Sequence, residues 1–109
     1  MKNTNHTFIS SFRIGNDVFT HVINTFTDET HCINRDGDVI FTVSSFADLF
    51  DGNGNKIGKF YLTSKNDFAT QYDWGFVDGN GVETENPLKN KTDLIEFELE
   101  IFKSMLKNS

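Results

Sequence analysis

The stretch from Tyr72 to Thr84 constrains the fold more than any other part of the sequence. Trp74 and Phe76 are two residues apart, so in a strand their side chains project from the same face. The residues that follow, Asp78-Gly79-Asn80-Gly81, are typical of tight turns, because Asp-Gly and Asn-Gly pairs allow positive φ at little steric cost. The stretch predicts an antiparallel β-hairpin with a type I′ turn at either pair.

Other segments have the β-branched and aromatic content of strands: Thr7 to Ile14, Val18 to Phe26, Val39 to Val43 and Lys56 to Thr63. Thr30 to Asn34 leads into a second Asp-Gly hairpin turn, Arg35 to Asp38. In Ser44 to Phe50, apolar residues fall at i, i+3 and i+4, which predicts one helical turn, and Asp51 to Asn55 reads as an open loop. The sequence thus predicts about five or six short antiparallel strands.

The segment after Pro87 has two periodicities. Ile95 to Ile101 alternates like a strand, yet the segment also carries a helical apolar stripe, formed by Leu94, Phe97, Ile101 and Met105. The good helix formers in the segment and an Asp93/Glu96 pair that resembles a capping box favour a helix from Asp93 to Lys107. In this helix Glu98 falls inside the apolar arc.

A chain of 109 residues is expected to form one domain, 1–109, with residues 1–6 frayed. A sheet of two hairpins needs a cover for its apolar face, and the C-terminal helix, 93–107, is the obvious one. The predicted fold class is α+β, mostly β: an antiparallel meander of about 5–6 short strands packed with one C-terminal α-helix. The twelve phenylalanines supply most of the core.

Two stretches of the sequence echo each other, with Gly37 and Gly81 at equivalent places 44 positions apart. Trp74-Gly75-Phe76-Val77-Asp78-Gly79-Asn80-Gly81 resembles the strand-turn unit of the WG-repeat (tryptophan-glycine) family, in which an Asx-x-x-Gly turn ends the strand. At 30–37 the unit is degenerate, because Thr30-His31 replaces Trp-Gly. The resemblance covers about half the chain, in the region 30–86. It implies two hairpin units of a binding or scaffold module, with no catalytic residues.

The charge balance indicates the kind of partner. Sixteen acidic and ten basic residues give a formal charge of −6, which disfavours direct binding of nucleic acid and favours a basic protein partner. The single cysteine, Cys32, cannot form an internal disulfide. The polar first residues do not resemble a signal peptide, and no apolar run reaches membrane-spanning length. A cytoplasmic location is therefore expected.

Metal and catalytic sites find little support in the sequence. Asp51 begins a calcium-like spacing, but Lys56 and Leu62 stand where an EF-hand needs glycine and glutamate. His31 and Cys32 are neighbours, so in a strand they point to opposite faces and do not converge on zinc or form a nucleophile pair. The expectation is one exposed histidine and a buried cysteine. No cofactor, metal or catalytic residue is predicted.

The remaining candidate site is a surface of loop carboxylates with two tyrosines as interface anchors. Its residues are Asp48, Asp51, Tyr61, Asp67, Tyr72, Asp73, Asp78, Glu83 and Glu85. The sequence favours a non-enzymatic protein-binding module: a small acidic inhibitor, such as an immunity protein or a phage protein, that masks a basic toxin or nuclease. Two alternatives remain open, a ligand-binding or hydrolytic domain with a carboxylate-lined pocket and a structural repeat unit that self-assembles.

Overall fold

A computed structural model describes residues 5–65, 72–85 and 94–108; the side chains at 63–65, 72, 73 and 85 are outside that description. The described residues form one antiparallel sheet in which each strand pairs with the next along the chain, followed by a helix. The elements are β1 (His6–Ile14), β2 (Asp17–Asn24), β3 (Glu29–Ile33), β4 (Val39–Val43), β5 (Asp48–Asp51), β6 (Lys56–Lys65), β7 (Tyr72–Asp78), β8 (Glu83–Glu85) and α1 (Leu94–Lys107). The α+β, mostly β fold class is confirmed, but the meander has eight strands rather than five or six.

The predicted helical turn at 44–50 is wrong, because this segment is a tight turn followed by β5. The Ser44 hydroxyl oxygen accepts the backbone N–H groups of Phe46 and Asp48, and Ala47 adopts a left-handed φ of 66°. The chain therefore reverses instead of continuing as a helix. Leu49 then pairs with Val43 on one side and Gly58 on the other, and it is fully buried.

The N-terminal strand begins earlier than the sequence indicates. β1 starts at His6, and the carbonyl oxygen of Asn5 accepts hydrogen bonds from both the backbone N–H and the hydroxyl of Thr25, at 2.6 and 2.8 Å. The expectation of a frayed segment is wrong for residues 5 and 6, while residues 1–4 lie outside the described part of the chain.

Three hairpin turns are closed in the same way, by an Asn or Asp and a glycine three residues later, in the pairs Asn34–Gly37, Asp51–Gly54 and Asp78–Gly81. The side-chain Oδ1 of the first residue accepts the N–H groups two and four positions on, at 2.9–3.0 Å. The glycines have φ values of 88°, 84° and 80°. Each turn is a three-residue loop with one left-handed residue, so the predicted type I′ turn and the predicted open loop at 51–55 are wrong.

The helix α1 covers one face of the sheet, as predicted, though Asp93 lies outside the described residues. The Phe102 ring packs edge-on against His21 of β2 and is stacked on Phe41 of β4, while Phe97 contacts Phe60 of β6. The register is irregular in four of the strand pairs, and irregularities of this kind increase the local twist of a sheet. Phe60, Phe97 and Phe102 are at most 1% exposed.

Candidate functional site: an acidic edge of hairpin turns

The meander places alternate hairpin turns at the same end of the sheet. Four turns meet at one end, the connections β1–β2, β3–β4, β5–β6 and β7–β8. Neighbouring turns in this row are two strands apart, which is about 10 Å. We call this row, with the residues that flank it, the acidic edge. Its carboxylates belong to Asp17, Asp36, Asp38, Asp51, Asp78 and Glu83.

The carboxylates of the acidic edge fall into two groups. Asp51 and Asp78 hold their own turns together, and the backbone hydrogen bond from Asn55, followed by that from Asn53, keeps the pKa of Asp51 below its usual range. The other carboxylates are on exposed residues, and within the described residues no hydrogen bond or ion pair of their side chains is found: Asp17, Asp36, Asp38 and Glu83. These four are available to a partner.

A cleft of about 340 Å³ opens at the acidic edge, between the start of β2, the 34–38 turn and the end of α1. Its walls are apolar and include Phe19, Phe41 and Leu106, while Asp17 and Asp36 lie among its polar lining. Arg35 also lines the cleft, and its Nη2 donates a hydrogen bond to the carbonyl oxygen of Asn16 at 2.6 Å. The volume is at the lower end of the range for ligand pockets.

The residues of the predicted surface do not all come together. Asp51, Asp78 and Glu83 lie on the acidic edge, but Asp48 begins β5 at the opposite end of the sheet. Its Oδ1 is 3.2 Å from Lys56 Nζ and 3.3 Å from Lys59 Nζ. Burial acts to raise the pKa of Asp48, but hydrogen bonds from the two lysines and their charges outweigh it and hold the pKa below its usual range. Asp48 is already neutralised by these partners.

The other predicted residues lie elsewhere or outside the description. Tyr61 is half-buried in β6, where it pairs with Gly75. Tyr72 and Asp73 begin β7 at the end away from the acidic edge, and Glu85 ends β8, but their side chains are not described; Asp67 lies outside the described residues altogether. The candidate residues that the structure describes therefore lie at two different ends of the sheet.

Sequence reasoning missed Asp17, Asp36 and Asp38, which share the acidic edge with Asp51 and Asp78. A turn such as 35–38 is recognised from local sequence, whereas strand order decides which turns are neighbours. The order of the turns along the sequence could have identified these residues, because in a meander every second turn lies at the same end of the sheet.

Histidine and cysteine side chains do not add a metal site within the described residues, where no group of three or more His, Cys, Asp or Glu is placed to hold an ion. The prediction of an exposed histidine beside Cys32 is wrong, because His31 is only 8% exposed, and His21 is fully buried. Cys32 is buried as predicted, and burial raises the pKa of its thiol to about 12. The thiol is therefore protonated and unreactive in the folded protein.

A buried polar cluster lies beneath α1. Thr30 donates its hydroxyl proton to Glu98 Oε1 at 2.8 Å, and His21 Nε2 is 3.5 Å from the same oxygen. Among the described residues, no hydrogen-bond partner is found for either ring nitrogen of His21 or for the hydroxyl of Ser10. Because His21 is 0% and Glu98 2% exposed, the cluster is sealed from substrates and has a structural role.

Comparison with protein-family models, curated proteins and solved structures found no match to this chain. Membership of the WG-repeat family therefore stays a prediction. The Asx-x-x-Gly turn on which that resemblance rests occurs three times in the described structure, at Asn34, Asp51 and Asp78. No helix among the described residues is long and apolar enough to cross a membrane.

The burial of His31 leads to a prediction of how the stability of the fold depends on pH. Burial lowers its pKa from the usual 6.5; the charge of Glu29 opposes this effect and that of His6 adds to it. The folded protein therefore prefers neutral His31, so its contribution to stability is complete above about pH 6.5 and decreases as the pH falls below that value. We expect the free energy of unfolding, measured by urea denaturation, to decrease across this range, and His31→Gln to weaken the decrease. An unchanged pH profile in the variant would contradict this assignment.

Proposed function

We propose that this protein is a non-enzymatic, cytoplasmic binding domain that holds a basic protein partner against its acidic edge. The observation that supports the proposal is the convergence of four hairpin turns at one end of the sheet, which gathers six carboxylates in a row. A row of carboxylates makes the local electrostatic potential strongly negative, which steers a positively charged partner and increases its association rate. A small acidic inhibitor of a toxin or nuclease would use this property.

The cleft at the acidic edge supplies a place for an anchoring side chain of the partner. Arginine and lysine combine an apolar stem with a charged head. The apolar walls around Phe41 and Leu106 suit the stem, and the carboxylates of Asp17 and Asp36 suit the head. Arginine fits better than lysine, because its guanidinium can bind a carboxylate through two parallel hydrogen bonds.

The proposal is tested with a variant that removes charge from the acidic edge and leaves the turns intact. Asp17→Asn, Asp36→Asn and Asp38→Asn are combined, since these carboxylates do not close turns. With an arginine-rich peptide as probe, we expect the affinity to fall about tenfold or more and the salt dependence of binding to weaken. The measurement is biolayer interferometry over a range of salt concentrations.

A matched control separates the acidic edge from net charge alone. Glu96→Gln combined with Glu100→Gln neutralises two charges on α1, away from the edge, and should leave binding close to that of the unmodified protein. The variant matched to it in charge is Asp17→Asn combined with Asp36→Asn, which should weaken binding. Equal loss of binding in both variants would show that the acidic edge is not a specific site. Saturable binding of free arginine with the same affinity as the peptide would instead favour the small-molecule alternative, a ligand-binding domain with a carboxylate-lined pocket.

A further inference from the structure

The end of the sheet opposite the acidic edge carries exposed aromatic side chains. Phe26 and Phe46 lie in the β2–β3 and β4–β5 turns and are 81% and 79% exposed, and Phe8, near the start of β1, is 64% exposed. We call these three residues the aromatic end. The other large apolar side chains exposed among the described residues are Leu62, Val39 and Val82, which include no aromatic ring. Exposed apolar surface concentrated in this way is typical of an interaction site.

The turns that carry Phe26 and Phe46 have a common hydrogen-bonding pattern, which differs from that of the turns at the acidic edge. Asn24 Oδ1 accepts the N–H of Phe26, and Ser44 Oγ accepts the N–H of Phe46, so each phenylalanine follows a capping residue by two positions. Left-handed φ values occur at Asp28 (62°) and Ala47 (66°), whereas glycines occupy such positions at the acidic edge. A non-glycine residue in this region is strained, and strain of this kind concentrates at functional sites.

The charges beside the two aromatic turns are opposite in sign. Asp28 and Glu29 follow Phe26, which gives that side negative charge. Beside Phe46, the single carboxylate of Asp48 is paired with two lysines, so the cluster is net positive, and Lys59 Nζ lies 3.4 Å from the carbonyl oxygen of Phe46. The turns are about 10 Å apart, since they are separated by two strands. A twofold axis between them brings the negative side of one copy against the positive side of another.

We propose that the aromatic end is the contact through which two copies of this chain associate. The twofold arrangement pairs the Phe26 turn of one copy with the Phe46 turn of the other and places both acidic edges at the far ends, where their repulsion is screened. Taking about 200 Å² for a whole phenylalanine side chain, the three rings offer on the order of 450 Å² per copy, which is close to the minimum for a specific interface. The dimer is therefore weak and reversible, and it presents two acidic edges at once.

Sedimentation velocity through the micromolar range tests this proposal. We expect a reversible monomer–dimer equilibrium, and a dissociation constant at least about tenfold higher for Phe26→Ser combined with Phe46→Ser. Val82→Ser is the matched control, because it removes an exposed apolar side chain from the acidic edge and should leave the dimer unchanged. Circular dichroism confirms that each variant is folded.

A charge exchange tests the geometry even if the serine variants are unstable. Lys59→Glu should weaken the dimer, and adding Glu29→Lys should restore part of the affinity, since the reversed charges again face each other. A monomer at every concentration, or unchanged dimerisation in the double serine variant, would overturn the proposal. The acidic-edge variant Asp17→Asn, Asp36→Asn, Asp38→Asn should dimerise normally, so failure here is distinguishable from failure of the proposed function.

Discussion

Replacing Glu98 with alanine is expected to lower the free energy of unfolding by about 3 kcal/mol, because it leaves buried polar groups without a partner. Glu98 is 2% exposed and accepts the hydroxyl hydrogen bond of Thr30, while His21 lies 3.5 Å from the same carboxylate oxygen. The substitution also leaves a cavity beneath α1, which adds to the cost. Urea denaturation followed by Trp74 fluorescence measures the change.

Four further variants separate the loss of the hydrogen bond from the other effects of the substitution. Glu98→Gln keeps an acceptor for Thr30 and should cost less than alanine. Glu100→Ala, at a half-buried position on the same helix, should change stability by no more than about 0.5 kcal/mol. Glu98→Leu combined with Thr30→Val should be more stable than Glu98→Leu alone, since the unpaired hydroxyl is removed. If alanine at position 98 were as well tolerated as alanine at position 100, the cluster would not contribute to stability.

Gly58→Ala is expected to destabilise the fold by about 3 kcal/mol through overpacking. A Cβ atom at this position would overlap Phe76 Cζ and would lie 2.8 Å from the carbonyl oxygen of Val77. The Phe76 ring has little freedom to move, because it is 3% exposed and packs against Phe60 with ring centroids 4.9 Å apart. The change is measured as a shift in the urea midpoint with an unchanged slope.

Gly81 is the matched control for this substitution. A Cβ there would meet no atom within 4 Å, but the residue has a φ of 80°. Gly81→Ala should therefore cost only about 1–2 kcal/mol of backbone strain, and Gly81→Asn less, because asparagine tolerates this conformation. At Gly58 the order is different: asparagine should be at least as harmful as alanine, since space and not φ is limiting. Partial rescue of Gly58→Ala by Phe76→Leu would identify the ring as the obstacle.

The elements that local sequence decides were predictable. Trp74 and Phe76, with the turn that follows them, predicted the β7 strand. The segment of α1 also alternates like a strand, and its good helix formers decided in favour of the helix. The secondary structure of short segments could not be predicted from local sequence alone. The spacing of Phe46, Leu49 and Phe50 suits a helix, but the Ser44 side chain caps a turn, and pairing of β5 with strands on both sides fixes it as extended.

The type of each hairpin turn and the position of the candidate site depend on contacts that cannot be derived from the sequence pattern. An Asp-Gly pair suits a two-residue turn, yet the Asp78 carboxylate stabilises a three-residue loop. Glu98 was visible as a polar residue in an apolar arc, which correctly marked an unusual position but could not name Thr30 and His21 as its neighbours. The acidic edge required strand order, since Asp17, Asp36 and Asp78 are close only if the strands pair in sequence.

Sequential pairing also affects how this chain folds. Each strand finds its partner next to it along the chain, so the sheet has low contact order between strands and can grow one hairpin at a time. The helix α1 comes after all eight strands, and its contacts with β2 and β4 close the longest loops. Until it docks, Phe41 and Phe60 lack their helical cover, and the partly built sheet is at its most prone to aggregation.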